Sequence, residues 1–285
     1  MRLAAKWREP MSDRPWGEGS GRWVDLPGPS TTRVWEVGHG RPLVLVGGLA
    51  GGPGLLSPLI ATLAERHTIY AIDLDAAPTR FSRGEPSIGR EAREVAEAIG
   101  RLGLERPTLL GVSYGGAVAL ELAVERPGLL GGLLLSGVEA SFRPNLGTKV
   151  ARRVLECYEL PADSPFINQF FNLLHGKRPA PGPLADFVVR RCWETDQATM
   201  VRRLRALESF DVADRLWRVT VPTRVVAGTR DIVVPMARQR ALAERIAGAR
   251  FAAVEGAGHI GFVTHPAEFA RQARAFVAQR ARSYC

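Results

Sequence analysis

From about residue 33 the chain alternates short apolar runs with longer stretches whose apolar positions recur at helical spacing. The runs are RVWEV (33–37), PLVLVGG (42–48), TIYAID (68–73), PTLLGV (107–112), GGLLLSG (131–137), PTRVVAG (222–228) and RFAAVEG (250–256). A strand wetted on one face alternates apolar and polar residues. Most of these runs are instead continuously apolar, the pattern of strands covered on both faces. Helices are predicted near 55–66, 88–102, 115–126, 236–247 and 266–281, with Pro266 suited to the first turn of the last. Strand–helix alternation of this kind builds an α/β fold with a mostly parallel, doubly wound sheet.

The rhythm breaks once. Residues 139–215 carry several helical patterns, no clear strand and the Pro-rich turn RPAPGPL (178–184), and the strands resume at Val221. An insertion of this length marks a helical cap after the strand 131–137, taken as the sixth of the sheet. The expected organisation is an irregular extension over 1–30, a core made of 31–138 and 216–285, and a cap over 139–215.

Composition narrows the function classes. With 46% apolar residues in 285, the chain can bury a substantial core. No apolar run approaches the ~18 residues of a membrane span, and the positive N-terminus lacks the apolar segment of a secretory signal. Met11 offers a second candidate start. The formal net charge is +9, but the cations are nearly all arginines scattered along the chain, and only Lys6, Lys149 and Lys177 are lysines. Without a basic run or interleaved aromatics, no nucleic-acid partner is expected. Cys157, Cys192 and Cys285 fit no metal-ligand spacing and read as thiols of a reducing compartment, so a cytoplasmic protein without a metal is expected.

The sharpest chemical signal is Gly111-Val112-Ser113-Tyr114-Gly115, a G-x-S-x-G pattern that follows the strand PTLLGV and opens the helix YGGAVALELAVERP. A serine there is either a helix cap or a nucleophile on a tight strand–turn–helix elbow. The small residues Gly111 and Gly115 favour the elbow, which lifts the hydroxyl above the positive end of a helix. Two further residues stand just past strands: Asp231 in AGTRDIVVP and His259 in VEGAGHIGF.

These residues, in this order and each at a strand's end, resemble the α/β-hydrolase-fold family from about residue 30 to the end. The resemblance implies that Ser113 is the nucleophile, Asp231 the acid and His259 the base. Glu139, after the strand 131–137, holds an alternative acid position used by some relatives. The other histidines are His39, His67 and His265, read as surface or capping residues, and His175 in the cap, a candidate substrate contact. Asp211 and Asp214 read as cap-junction residues. The resemblance also implies an oxyanion hole from the backbone N–H groups of Leu49 and Tyr114. Gly47 stands where many members carry histidine, which leaves open how that loop is held. The stretch DLDAAPTRFSRGEPS (73–87) lacks the paired glycines that relatives often carry there.

The implied activity is hydrolysis of a small carboxylic ester, lactone or thioester through an acyl-enzyme on Ser113, with no cofactor. Acyl transfer, C–C or amide hydrolysis and cofactor-free haloperoxidase chemistry use the same residues. A ligand-binding receptor with little turnover is the non-enzymatic alternative. The expected partner is a partly apolar small molecule. In the cap segment PFINQFFNLLHG (165–176), helical spacing puts Phe166, Phe170 and Leu173 or Leu174 on one face and Asn168 and Asn172 off it. That face either packs the cap on the core or roofs a pocket, with Phe166, Phe170, Phe171 and His175 as candidate pocket residues.

Overall fold

The computed structural model describes residues 21–27, 32–74, 87–144, 146–161, 164–176 and 182–282. Eight strands, β1 (Arg22–Leu26), β2 (Thr32–Gly38), β3 (Arg41–Val46), β4 (His67–Asp73), β5 (Thr108–Val112), β6 (Gly132–Ser136), β7 (Thr223–Gly228) and β8 (Arg250–Val254), form one sheet. Their order is β1-β2-β4-β3-β5-β6-β7-β8. Only β2 runs against the rest, pairing antiparallel with both β1 and β4; every other pairing is parallel.

The continuously apolar runs are explained by two cores. In β3, Val44 and Val46 enter one core while Leu43 and Leu45 enter the other, all essentially without solvent contact. Helices α1 (Gly52–Ala64), α2 (Ile88–Arg101) and α3 (Tyr114–Glu125) follow β3, β4 and β5. Buried residues of α2 and α3 join the Val44 core, and those of α1 join the Leu43 core. Burial of each large aliphatic side chain contributes about 1.5–3 kcal/mol before chain entropy is counted. All the parallel strands present their C-terminal ends along one edge, where an open α/β sheet forms its crevice.

Three expectations change. The irregular extension is interrupted by β1, and the rest of it (1–20 and 28–30) lies outside the described residues. RWVDL is an edge strand whose charged residues face water, so it carries no apolar run. Its register is held by Trp23 opposite Trp35, whose rings meet edge to face at 5.3 Å. His67, read as a surface or capping residue, is buried at the start of β4. It falls there because α1 ends beside it, and Arg66 N–H still bonds back to the Leu63 carbonyl.

The third change lies in the insertion, which holds α4 (Leu146–Cys157), α5 (Pro165–Leu173), α6 (Pro183–Cys192) and α7 (Gln197–Glu208). Its two ends meet at a neck: Ser141 bridges Asp211, and Val212 N–H donates to the Ala140 carbonyl at 2.9 Å. Asp211 also accepts the Ala213 N–H at 2.8 Å, a junction role as expected. On α5 the buried stripe is Ile167 and Phe171, one turn apart, whereas Leu173 is half exposed. Phe171 packs edge to face on Trp193 at 5.7 Å, and Asn168 accepts the Trp193 indole N–H at 3.0 Å. The apolar stripe is therefore rotated from the expected one, because Trp193 selects which side of α5 turns inward. Phe170 is partly buried against the same core, and the Phe166 side chain lies outside the described residues.

Burial holds the His67 imidazole below the ordinary histidine value, with the Arg274 and Arg41 cations adding to the effect and a backbone hydrogen bond opposing it. The unfolded chain therefore takes up this proton at higher pH than the folded one, and protonation favours unfolding. The stabilisation is complete above the ordinary value of about 6.5 and is lost as pH falls from there through the lowered folded value. Thermal melts at pH 7.5 and 5.0 should show a smaller acid loss for His67→Leu than for the parent. Equal losses would contradict the assignment.

Candidate active site

Ser113 occupies the single residue between β5 and α3, with φ of 52° and ψ of −119°. A non-glycine residue in this region costs about 1–3 kcal/mol and persists only where its surroundings impose it. They do: Ser113 N–H donates to the Ser136 carbonyl of β6 at 2.8 Å, and the Ser113 carbonyl accepts from Gly116 N–H at 2.9 Å. The turn closes only because two side chains are missing. A Cβ on Gly111 would lie 2.4 Å from the Gly115 carbonyl oxygen, and one on Gly115 would lie 2.3 Å from the Gly47 carbonyl oxygen.

The elbow presents Ser113 Oγ to a buried pair. His259 Nε2 lies 2.8 Å from it, and His259 Nδ1 lies 2.9 Å from Asp231 Oδ2 and 3.1 Å from Oδ1. Asp231 is fixed in turn: Oδ1 accepts the Val233 and Val234 N–H groups, each at 2.9 Å, and Oδ2 accepts from Gln239 Nε2 at 3.0 Å. Both members of the pair are buried, so water does not compete for the contact. Glu139 is placed differently. Its carboxylate pairs with Arg238 at 3.2 Å, and burial raises its pKa against the pull of that cation.

The loop after β3 reaches the same point. A Cβ on Gly48 would sit 3.5 Å from Ser113 Cβ, which puts this backbone against the hydroxyl. Leu49 follows, partly buried in both cores. Tyr114 begins α3, where an N–H has no acceptor within its own helix. A sequence model of the alpha/beta hydrolase family matches residues 43–272. The chain belongs to that family.

A putative carbamate hydrolase, RutD, of Rhizobium rhizogenes is 29% identical over 250 residues, covering 85% of this chain and 94% of that one. The corresponding protein of Pseudomonas savastanoi pv. phaseolicola is 30% identical over 249 residues, covering 80% and 90%. Among solved structures, an esterase from Exiguobacterium antarcticum superposes with a TM-score of 0.78 at 22% identity, covering 90% of this chain and 99% of that one. That last likeness is one of fold.

Two features of this hydrolase were not visible in its sequence. Gln239 on α8 (Met236–Arg245) is fully buried and ties three parts of the site together. Besides Asp231, it donates to the Val234 carbonyl at 2.8 Å and accepts the Gly137 N–H at 2.8 Å. A lone glutamine on an amphipathic helix carries no motif, so only the packing reveals it. The second feature is how His175 sits. Its ring is buried, Nε2 has no hydrogen-bond partner among the described residues, and desolvation holds its pKa low. Its backbone lies against Gly258, where a Cβ would come within 2.2 Å of the His175 carbonyl carbon. Ile260 N–H donates to the Leu174 carbonyl at 3.1 Å, so the end of α5 seats directly on the histidine loop.

These contacts rank the two acids. Asp231→Asn should lower kcat by about 10⁴-fold, since the amide turns the imidazole to the wrong tautomer. Glu139→Gln should change it by less than about tenfold. Steady-state kinetics on the two purified variants make the comparison, and the reverse ranking would move the acid to the end of β6.

Proposed function

We propose that this member of the family is a serine hydrolase that cleaves a small carboxylic ester, lactone or thioester through an acyl-enzyme on Ser113. The carrying observation is the contact of Ser113 Oγ with His259 Nε2 at 2.8 Å, backed by buried Asp231. In this reading neutral His259 takes the hydroxyl proton as Oγ attacks the carbonyl carbon. Asp231 holds Nδ1–H and stabilises the imidazolium that forms. The N–H groups of Leu49 and Tyr114 receive the oxyanion, and each such donor contributes about 3–4 kcal/mol in the transition state. His259 then protonates the leaving alcohol or thiol. A water, deprotonated by the same histidine, attacks the acyl carbon and releases the acid and free Ser113. Each proton is handed through one nitrogen, and no step calls on a metal or cofactor.

A second reading keeps the mechanism and changes the substrate. Two relatives covering most of this chain are named putative carbamate hydrolases, which favours a carbamate carbonyl as the electrophile. Ser113 would then carry a carbamoyl group, more slowly hydrolysed because its nitrogen donates into the carbonyl. The proposal includes a cytoplasmic setting, consistent with the free thiols of Cys157 and Cys192, and a partly apolar substrate.

A single panel tests both readings: kcat/KM for p-nitrophenyl esters of two to twelve acyl carbons and for p-nitrophenyl carbamates. Esters are expected to rise to a medium chain and then fall, each buried methylene contributing up to about 0.8 kcal/mol. Ser113→Ala should reduce kcat by on the order of 10⁴–10⁶. Carbamates exceeding every ester would favour the second reading. A parent indistinguishable from Ser113→Ala throughout would leave a binding protein.

A further inference from the structure

The loop Gly47–Gly52 lacks the histidine that many relatives carry at its start, so something else must hold its N–H groups in place. Two buried side chains of the inserted helices reach it. Arg203 on α7, only 2% exposed, donates from Nη1 to the Leu49 carbonyl at 2.9 Å. Thr195, in the turn between α6 and α7 and 1% exposed, accepts the Gly51 N–H on Oγ1 at 2.9 Å. The two contacts bracket the loop: one fixes the peptide that follows the Leu49 N–H, and the other fixes Gly51, the residue just before α1.

Arg203 touches the second donor residue as well. Its guanidinium carbon lies 5.3 Å from the centre of the Tyr114 ring, and Tyr114 has no solvent exposure. One cation therefore bears on both residues proposed above to supply the oxyanion N–H groups. Burying that cation has a partner. Glu91 on α2 is also buried, and burial pushes its carboxyl up while the Arg203 charge pulls it back. A planar, always-charged fork suits this place, because it stacks on an aromatic face and donates in its own plane at once.

We propose that Arg203, seconded by Thr195, is a positioning residue for the oxyanion site: the inserted helices set the geometry of Leu49 and Tyr114 from above. This rests on the serine-hydrolase reading of Ser113. The inserted helices then do more than cover the crevice. They complete the part of the catalytic apparatus that stabilises developing charge, and their displacement by about 1 Å is enough to cost rate.

A purely structural Arg203 would only neutralise Glu91, and the experiment separates the two roles. The double variant Glu91→Gln/Arg203→Met removes both buried charges, and Thr195→Val removes one hydroxyl while keeping its shape. Each is compared with the parent for melting temperature, for KM and kcat on a p-nitrophenyl ester, and for affinity toward a trifluoromethyl ketone. That ketone forms a tetrahedral adduct on Ser113 whose oxygen occupies the oxyanion site. The double variant should lose about 10- to 100-fold in kcat with KM near the parent's, and ketone affinity should fall by a similar factor. Thr195→Val should show a smaller loss of the same pattern, and it carries the test if the double variant does not fold.

Losses confined to melting temperature or KM, with ketone affinity unmoved, would overturn the proposal while leaving the triad intact. A parent that neither hydrolyses the ester nor binds the ketone would remove the serine-hydrolase reading, and this proposal with it.

Discussion

The backbone of Ser113 is the constraint on which the site depends. Residues with side chains avoid positive φ, so a serine stays there only when strand and helix close on it from both sides. β5 supplies one side through its pairing with β6, and α3 supplies the other through the close approach of Gly115 to the Val46–Gly47 peptide. The result is a hydroxyl raised above the C-terminal edge of the sheet, at the positive end of a helix. Everything else is arranged around that point. Were the turn to relax, Oγ would swing away from His259, and the buried Asp231–His259 pair would lose its contact with the hydroxyl.

The pair and the loops around it are held by contacts that cross the molecule. Gln239 joins Asp231, Val234 and Gly137, so the acid loop and the end of β6 move as one. The inserted helices touch the site at two places. The end of α5 packs on the histidine loop, with a Cβ on Gly176 only 2.9 Å from Gly258 Cα, and α7 reaches the loop after β3 through Arg203. An insertion that lay apart from the site would leave these loops to hold themselves. Here the loop after β3 borrows buried polar contacts from the inserted helices, and buried contacts of this kind are costly to leave unmade.

Much of this was legible in the chain. The two-sided sheet followed from continuous apolar runs, and Ser113, Asp231 and His259 followed from where they stand relative to those runs. What was not legible had physical causes. β1 is half polar because one edge of the sheet meets water, so RWVDL looks like a loop. α5 holds five apolar residues among nine, which admits more than one stripe. Trp193, twenty residues away, chooses between them. Arg203 sits among other arginines on α7 and reads as a solvated face until the fold buries it against Leu49 and Tyr114. Gln239 and Thr195 carry no motif at all. In each case a contact distant in sequence decides, and local pattern does not record it.

The most direct test of the account is covalent. A fluorophosphonate reacts with a serine only where a base removes its proton and an oxyanion site receives the phosphoryl oxygen, with fluoride leaving. Peptide mass spectrometry on the treated, folded protein would locate the adduct. The account predicts one phosphonyl group per chain, on Ser113. A folded protein that takes up no label, or carries it on another residue, would contradict it.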